Sequence, residues 1–149
     1  MKFSSREDIE APIRTVYQTV SDFDRFERQL LRRGVEIARD ESVEAAEVGA
    51  KWQAKFSWRG RTHLVDAEMI AVDPDSGYSI ESRSGGVVCM GVVDLVALST
   101  TRTRLFASLD LRPTTLSSRL LIQSMKLGKG TLNKKFKARV AEFASRIEG

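Results

Sequence analysis

Hydrophobic positions near the start of the chain change from a two-residue period to a helical one. Residues 2–10 alternate imperfectly between apolar and polar side chains, which predicts an edge strand. Pro12 suits the first turn of a helix, and Ser21-Asp22 can end that helix and cap another. Apolar side chains then recur at helical spacing, namely Phe23, Phe26, Leu30 and Leu31. The pattern therefore predicts two short helices in tandem over residues 12–33.

The period returns to two between Val35 and Arg112. Polar and glycine-rich turn signals divide this segment into about six strands, so the chain offers about seven in all. Two of these turns are predicted at Gly60 with its arginine neighbours and at Ser84-Gly85-Gly86. In residues 51–59 the aromatic and small side chains share one face, which makes this the clearest strand. Residues 87–98 are almost continuously apolar, which predicts a strand covered on both faces. The short connections predict an antiparallel sheet wound in sequence order.

A helical pattern runs from Pro113-Thr114-Thr115, which offers an N-cap, to Ile147. Gly128-Lys129-Gly130 interrupts it, so we expect either a bend in the helix or entry of Lys129 into the mouth of a cavity. One apolar stripe should face the sheet; its members are Leu121, Ile122, Met125, Leu132, Phe136, Val140, Phe143 and Ile147.

A second apolar stripe lies on the opposite side of this helix, and we call it the leucine stripe; it consists of Leu116, Leu120 and Leu127. The simplest expectation is that the preceding loop or the tandem helices bury it within the monomer. The alternatives are an interface with a second copy of the chain and a contact with the apolar edge of a membrane.

Composition narrows the chemistry open to this protein. The chain has 149 residues, of which 42% are hydrophobic and 30% charged, as in a folded domain, and we predict one domain over 1–149. The single cysteine, Cys89, and the single histidine, His63, exclude an internal disulfide, a cysteine-rich zinc site and a histidine-pair metal site. We therefore expect no metal and no cofactor. No apolar run approaches 18 residues and the N-terminus is charged, so we expect a cytoplasmic protein without a transmembrane segment.

Charge is distributed unevenly along the chain. Residues 1–111 carry 15 basic and 18 acidic groups, a net −3, whereas residues 112–149 carry 9 basic and 2 acidic groups, a net +7. The simplest interpretation is a solvated helix face, although such a segment can also attract anionic lipid or ribosomal RNA. No helix-turn-helix or RNA-platform motif is present, so we expect no sequence-specific nucleic-acid partner.

Candidate catalytic groups are few. No serine or cysteine has the sequence context of an activated nucleophile, and there is no glycine-rich phosphate loop. Asp66 and Glu68 share one strand face and are best interpreted as solvated charges. Cys89 lies in the continuously apolar strand and is expected to be an inert core thiol. We therefore predict no catalytic residue.

Several short motifs occur in a distinctive order, namely Asp8-Ile9-Glu10-Ala11-Pro12 followed by Val16-Tyr17, then Ser21-Asp22-Phe23, Val48-Gly49-Ala50-Lys51-Trp52 and Arg102-Thr103-Arg104-Leu105. In this order the chain resembles the START-like, birch-pollen-allergen-like superfamily, in its polyketide cyclase/dehydrase and lipid-transport branch, over nearly its whole length. The resemblance implies an α+β helix-grip fold. In that fold a curved antiparallel sheet of about seven strands wraps around a long C-terminal helix, with a hydrophobic cavity between them. Relatives include lipid carriers, hormone binders, cyclases and hydrolase activators, so the fold does not fix the function.

The side chains expected to line this cavity come from two strands and the last helix; they are Trp52, Phe56, His63, Met69, Leu121, Met125 and Phe136. The aromatic members fit an ordinary core equally well. His63 shares a strand face with small and apolar residues, where its imidazole could hydrogen-bond a ligand oxygen, but a position at the rim or in solvent fits the same pattern.

Three functions fit this sequence. The first is binding or transport of a small hydrophobic ligand, such as a lipid, a polyketide or another aromatic or isoprenoid-like molecule, without covalent catalysis. The second is a cyclase or aromatase-type enzyme that uses the same cavity and needs at least two polar side chains converging on it. The third is an interaction module that docks on a membrane or ribosome through the basic C-terminal helix, and a homodimer is a further possible assembly.

Overall fold

The structure is a computed structural model that describes residues 1–44 and 46–147. The described residues form seven strands and four helices. The strands are β1 (Lys2–Ile9), β2 (Glu36–Arg39), β3 (Lys51–Trp58), β4 (Arg61–Asp73), β5 (Gly77–Ser84), β6 (Val87–Ser99) and β7 (Arg102–Pro113). The helices are α1 (Ile13–Val20), α2 (Phe23–Arg32), α3 (Leu116–Lys126) and α4 (Lys129–Ser145). Among the described helices, none has the length and apolar content needed to cross a membrane.

All seven strands pair antiparallel in one curved sheet with the order β1-β7-β6-β5-β4-β3-β2. Strands β2 to β7 follow one another as neighbours, and β1 joins the far edge through β7. The helices pack on the concave face, with α4 against β1, α3 against β7 and α2 against β2. The predicted helix-grip architecture, with tandem helices after the first strand, is confirmed.

Local sequence explains where the tandem helices begin and end. Pro12 precedes α1, where its missing N–H costs no helical hydrogen bond. The Asp22 carboxylate accepts a hydrogen bond from the backbone N–H of Arg25 at 3.3 Å and so caps α2. Arg32 lies in the last turn of α2, where its charge opposes the negative end of the helix dipole.

Two tight turns set the register of the central hairpins. Arg59 and Gly60 both have positive φ between β3 and β4, and Gly85 and Gly86 do so between β5 and β6. Positive φ at both central residues gives the type I′ turn that matches the twist of a hairpin. A Cβ atom at Gly86 would also lie 2.8 Å from Thr115 Oγ1, so a side chain there would collide with the start of α3.

The C-terminal helix is divided in two, as the glycine break indicated. Thr115 caps α3 through a capping box, since its Oγ1 accepts from the Ser118 N–H at 3.1 Å and Ser118 Oγ accepts from the Thr115 N–H at 3.0 Å. Leu127 and Gly128 separate α3 from α4. Lys129 is exposed at the start of α4, so the bend is confirmed and the entry of Lys129 into a cavity is not.

The buried residues form two clusters on the concave face. The first joins β1, α1, β6, β7 and the end of α4 around Ile9, Val16, Leu95, Leu105 and Ile147. The second joins α2 to β3 and β4; it contains Phe23, Ala50, Trp52 and Met69. Tyr78 on β5 packs against both clusters. The first cluster therefore closes one end of the sheet, while the second anchors α2 at the other edge.

Two expectations about covered apolar surfaces are wrong, the first in part. Strand β6 is half-buried on both faces from Val87 to Val93, but its far end is uncovered, with Val96 and Leu98 exposed. The leucine stripe is exposed as well, with Leu116, Leu120 and Leu127 at 75%, 60% and 93% of full exposure. Alternating periods identify which residues share a face, but they do not identify a partner element, and here the described residues provide none.

Candidate functional site

The middle of the concave face has a floor of small side chains. Ala54, Ala67, Ser82, Gly91 and Ala107 all point to this side, because they follow the same alternation as the buried residues of their strands. Helices α3 and α4 lie over the β1–β7 side of the sheet, and α2 lies over β2. Small residues between two flanking groups of helices leave space above the sheet.

Two apolar cavities occupy this space. The first, which we call the α2 cavity, has a volume of about 170 Å³ and lies between α2 and strands β2 to β5. Its walls include Phe23, Phe26, Leu30, Trp52, Ala67 and Ile80. The second, the α4 cavity, has a volume of about 230 Å³ and lies between α4 and strands β5 to β7. Its walls include Phe26, Tyr78, Ala107, Phe136, Arg139 and Phe143.

A contact between two aromatic rings divides the cavities. Phe26 of α2 lines both of them, and its ring centroid lies 5.7 Å from that of Phe143 on α4. Ligand pockets for small molecules usually span about 300–1,000 Å³, so each cavity alone is smaller than that range. Movement of the Phe26 ring would join them into one space along the sheet.

Polar groups in the cavity walls are mostly satisfied within the protein. Glu27 Oε1 accepts a hydrogen bond from the indole Nε1 of Trp52 at 2.8 Å, and Arg39 Nε lies 3.7 Å from the same oxygen. The Tyr78 hydroxyl donates to the Val20 carbonyl at 2.6 Å, and burial raises the pKa of Tyr78, which keeps the phenol protonated. These hydrogen bonds fix the walls and leave the groups little freedom to act on a bound molecule.

Arg139 is the exception among the wall residues. It is exposed at the edge of the α4 cavity, and no carboxylate in the described part of the chain pairs with it. A guanidinium beside an apolar cavity can bind the acidic head of a molecule whose body is apolar. On its own helix, Lys135 lies one turn earlier and Glu142 one turn later, and the Glu142 carboxylate pairs with Arg146.

Five of the seven predicted cavity residues fall into three groups. Trp52 lines the α2 cavity and Phe136 lines the α4 cavity. Met69 is fully buried in the second core cluster beside them. Leu121 is 51% exposed and Met125 is half-buried on α3, and neither is a wall residue of these two cavities. Contact of any of them with a ligand stays a prediction.

Phe56 and His63 lie together near the β3–β4 turn. Their rings stack with centroids 5.2 Å apart, and the Trp58 ring lies 5.9 Å from His63 on a tilted plane. His63 Nε2 is buried and has no hydrogen-bond partner among the described residues. The stacked position explains why the imidazole is half-buried, and it lies outside the walls of both apolar cavities.

The remaining candidate groups have ordinary environments. Asp66 and Glu68 are exposed on the convex face, and Glu68 Oε1 lies 3.8 Å from Lys51 Nζ, as expected for solvated charges. Cys89 is half-buried, and burial together with the nearby Asp110 raises the pKa of its thiol. A protonated thiol is a poor nucleophile, which agrees with the inert role predicted for it.

Sequence reasoning missed the two residues that define the cavities best. Phe26 and Phe143 were each placed on the apolar face of a helix, but nothing in their spacing indicated that they touch. Arg139 was counted only as part of a basic segment. A helical projection gives the direction of each side chain around one axis and carries no information on how two helices cross.

Comparisons with known proteins address the fold. No protein-family model matches the sequence, and no curated protein does. Among solved structures, protein TTHA0849 from Thermus thermophilus is similar with a TM-score of 0.67 and 16% identity, covering 99% of this chain and 97% of that one. Truncated norcoclaurine synthase from Thalictrum flavum is similar with a TM-score of 0.68 and 15% identity, covering 98% of this chain and 91% of that one. The Zhui aromatase/cyclase from Streptomyces sp. R1128 is similar with a TM-score of 0.59 and 13% identity, covering 77% of this chain and 69% of that one. The chain thus has the START-like, birch-pollen-allergen-like helix-grip fold that its sequence motifs indicated.

Proposed function

We propose that this protein binds a small hydrophobic molecule on the concave face of its sheet, in the space that the α2 and α4 cavities share. The observation that carries the proposal is the pair of adjacent apolar cavities above a floor of small side chains. A protein of this size gains stability by filling its core, so retained apolar space is a cost that ligand binding would offset.

The proposed ligand is an amphiphile with an acidic head. Arg139 supplies a positive charge that no described carboxylate pairs with at the edge of the α4 cavity, while the rest of that wall is almost entirely apolar. A slim acyl or isoprenoid-like body would occupy the 230 Å³ of this cavity, with its carboxylate at the guanidinium. Binding and carriage without covalent change are favoured over catalysis, because Glu27 and Tyr78 are already engaged in hydrogen bonds.

Isothermal titration with decanoate and decanol tests the proposal. Wild-type protein should bind both, and decanoate more tightly. Ala107→Phe, which places a ring in the α4 cavity, should weaken both at least about tenfold by removing the apolar contact area. Ala38→Phe, on the exposed convex face of β2, is the matched control and should leave both unchanged.

Arg139→Gln separates the head-group contact from the apolar contact. Decanoate should lose about five- to tenfold in affinity while decanol changes less than twofold, because a charge-assisted hydrogen bond is worth roughly 1.5–3 kcal/mol before solvent screening. Failure of the wild-type protein to bind either compound at millimolar concentration would refute the binding function. An equal loss of affinity for both compounds in Arg139→Gln would refute the proposal that the ligand has an acidic head.

A further inference from the structure

The leucine stripe is an apolar feature of the C-terminal helices that no described residue covers. Leu116, Leu120 and Leu127 project from the side of α3 opposite Ser118 and Ile122, which are buried against the sheet. On a helical projection the three leucines fall within about 40° of one another. An exposed row of three leucines at helical spacing usually marks a contact surface.

Positive charge borders this stripe. Arg119 and Lys126 are exposed on one flank of α3, and neither pairs with a carboxylate within the part of the chain that the structure describes. The sequence from 112 to 141 contains eight basic residues and no acidic one. The surface around the leucines therefore has a positive potential that favours an anionic partner.

We propose that α3 docks on anionic lipid bilayers, with the leucine stripe inserted among the acyl chains and Arg119 and Lys126 at the headgroups. A helix with an apolar row and a basic flank has the arrangement of an interfacial helix, which lies in the membrane plane. The exposed lysines at positions 129, 134, 135 and 137 extend the same positive surface along α4.

A second copy of the chain fits this surface less well. Two-fold pairing places the same patch of each protomer against the other, so Arg119 and Lys126 would face basic residues of the partner. Like charges across an interface oppose association. One row of three leucines is also small beside the roughly 800 Å² that each partner of a stable complex buries. Neither objection applies to an anionic bilayer.

Vesicle co-sedimentation tests the proposal with two lipid compositions. Wild-type protein should bind phosphatidylcholine vesicles containing phosphatidylglycerol, bind pure phosphatidylcholine vesicles at least about tenfold more weakly, and dissociate as salt rises. Leu120→Ser with Leu127→Ser should weaken binding to the anionic vesicles at least about tenfold. Leu64→Ser with Val96→Ser, two exposed apolar positions on the convex face, is the matched control and should bind like wild type.

Arg119→Gln with Lys126→Gln provides a second variant that leaves the leucines in place. It should bind anionic vesicles several-fold more weakly and with a shallower salt dependence. Wild-type protein that fails to bind anionic vesicles overturns the proposal, as does a leucine variant that binds as well as wild type. A wild-type dimer in ultracentrifugation that the leucine variant abolishes, without vesicle binding, assigns the stripe to a second copy instead. The leucines are not wall residues of either cavity, so these results are independent of decanoate binding.

Discussion

Removing the Phe26 ring should join the two cavities and widen the range of molecules that the protein accepts. Phe26 is half-buried, lines both cavities and contacts the ring of Phe143 at a centroid distance of 5.7 Å. In Phe26→Ala the 170 and 230 Å³ spaces merge with the volume of the lost ring. The merged cavity falls inside the range of about 300–1,000 Å³ that is typical of small-molecule sites.

The cost in stability follows from the burial of Phe26. Truncation of a fully buried phenylalanine to alanine costs about 3–5 kcal/mol. Because Phe26 is only half-buried and already borders empty space, we expect about 2 kcal/mol. For a domain of this length that corresponds to a fall in Tm of about 4–8 °C. The variant should remain folded at 25 °C and usable in binding experiments.

Titration with a narrow and a wide probe measures the effect. Decanol fits the α4 cavity alone and should bind Phe26→Ala within about twofold of wild type. N-phenyl-1-naphthylamine, which has three rings, should bind at least about tenfold more tightly to Phe26→Ala, because its burial no longer requires displacement of the Phe26 ring. Phe106→Ala removes an exposed ring from the convex face and should change neither affinity. Weaker binding of the wide probe to Phe26→Ala would show that Phe26 is a contact wall and refute its role as a divider.

Three further predictions concern stability. Thr103→Val should lose about 1–3 kcal/mol in the free energy of unfolding in urea, because the fully buried Thr103 Oγ1 donates to the Ala11 carbonyl at 2.8 Å. Gly130→Ala should raise the Tm by about 2–4 °C, since this helical position has open space around it and alanine favours helix by up to about 1 kcal/mol. Asp8→Asn should lower stability at pH 7 and lose its effect at acid pH. The hydrogen bond from Arg104 holds the pKa of Asp8 in the folded protein below its ordinary value of 3.8. The ionised Asp8 carboxylate therefore stabilises the fold above pH 3.8, and this stabilisation is lost as the pH falls through the lower pKa of the folded state.

Each of these predictions has a matched control. Thr62→Val, at an exposed position, should be neutral, and an equal loss at both threonines would contradict the role of the buried hydrogen bond. Gly34→Ala also meets open space but has φ of +86°, so it should destabilise; stabilisation there would contradict the backbone argument. Arg104→Gln should remove the pH-dependent part of the Asp8→Asn effect, and additivity of the two changes would contradict coupling.

Local sequence patterns were sufficient to predict the helices and strands and their order along the chain. The proline at position 12 and the Ser21-Asp22 pair located the tandem helices, and the turns at 59–60 and 85–86 located two hairpins. These features depend on φ preferences and capping hydrogen bonds, which involve residues close together in sequence. The glycine break at 128 and 130 likewise located the bend between α3 and α4.

Which faces of the strands and helices are covered by other elements could not be predicted from these local patterns. Strand β6 is apolar on both faces and half-buried on both from Val87 to Val93, yet Val96 and Leu98 near its end are exposed. The candidate site shows the same limit, since the contact of Phe26 with Phe143, which separates the two cavities, was missed. Such contacts depend on the crossing of elements distant in sequence, which a period within one element does not encode.

The residues that close one end of the sheet overlap only in part with the cavity walls. Ile9, Ala11 and Val16 are almost fully buried where β1, α1 and β7 meet, and none of them is a wall residue of either cavity. Val20 and Leu105 belong to the same cluster and also line the α4 cavity. Other wall residues, among them Phe26, Phe136 and Phe143, are only half-buried. Substitutions of these half-buried wall residues therefore change the shape of the cavity at a smaller cost in folding free energy than truncation of the fully buried cluster residues, which typically costs about 2–5 kcal/mol. A fold divided in this way can accept different apolar ligands through changes in a few wall residues while its closed end keeps the sheet intact.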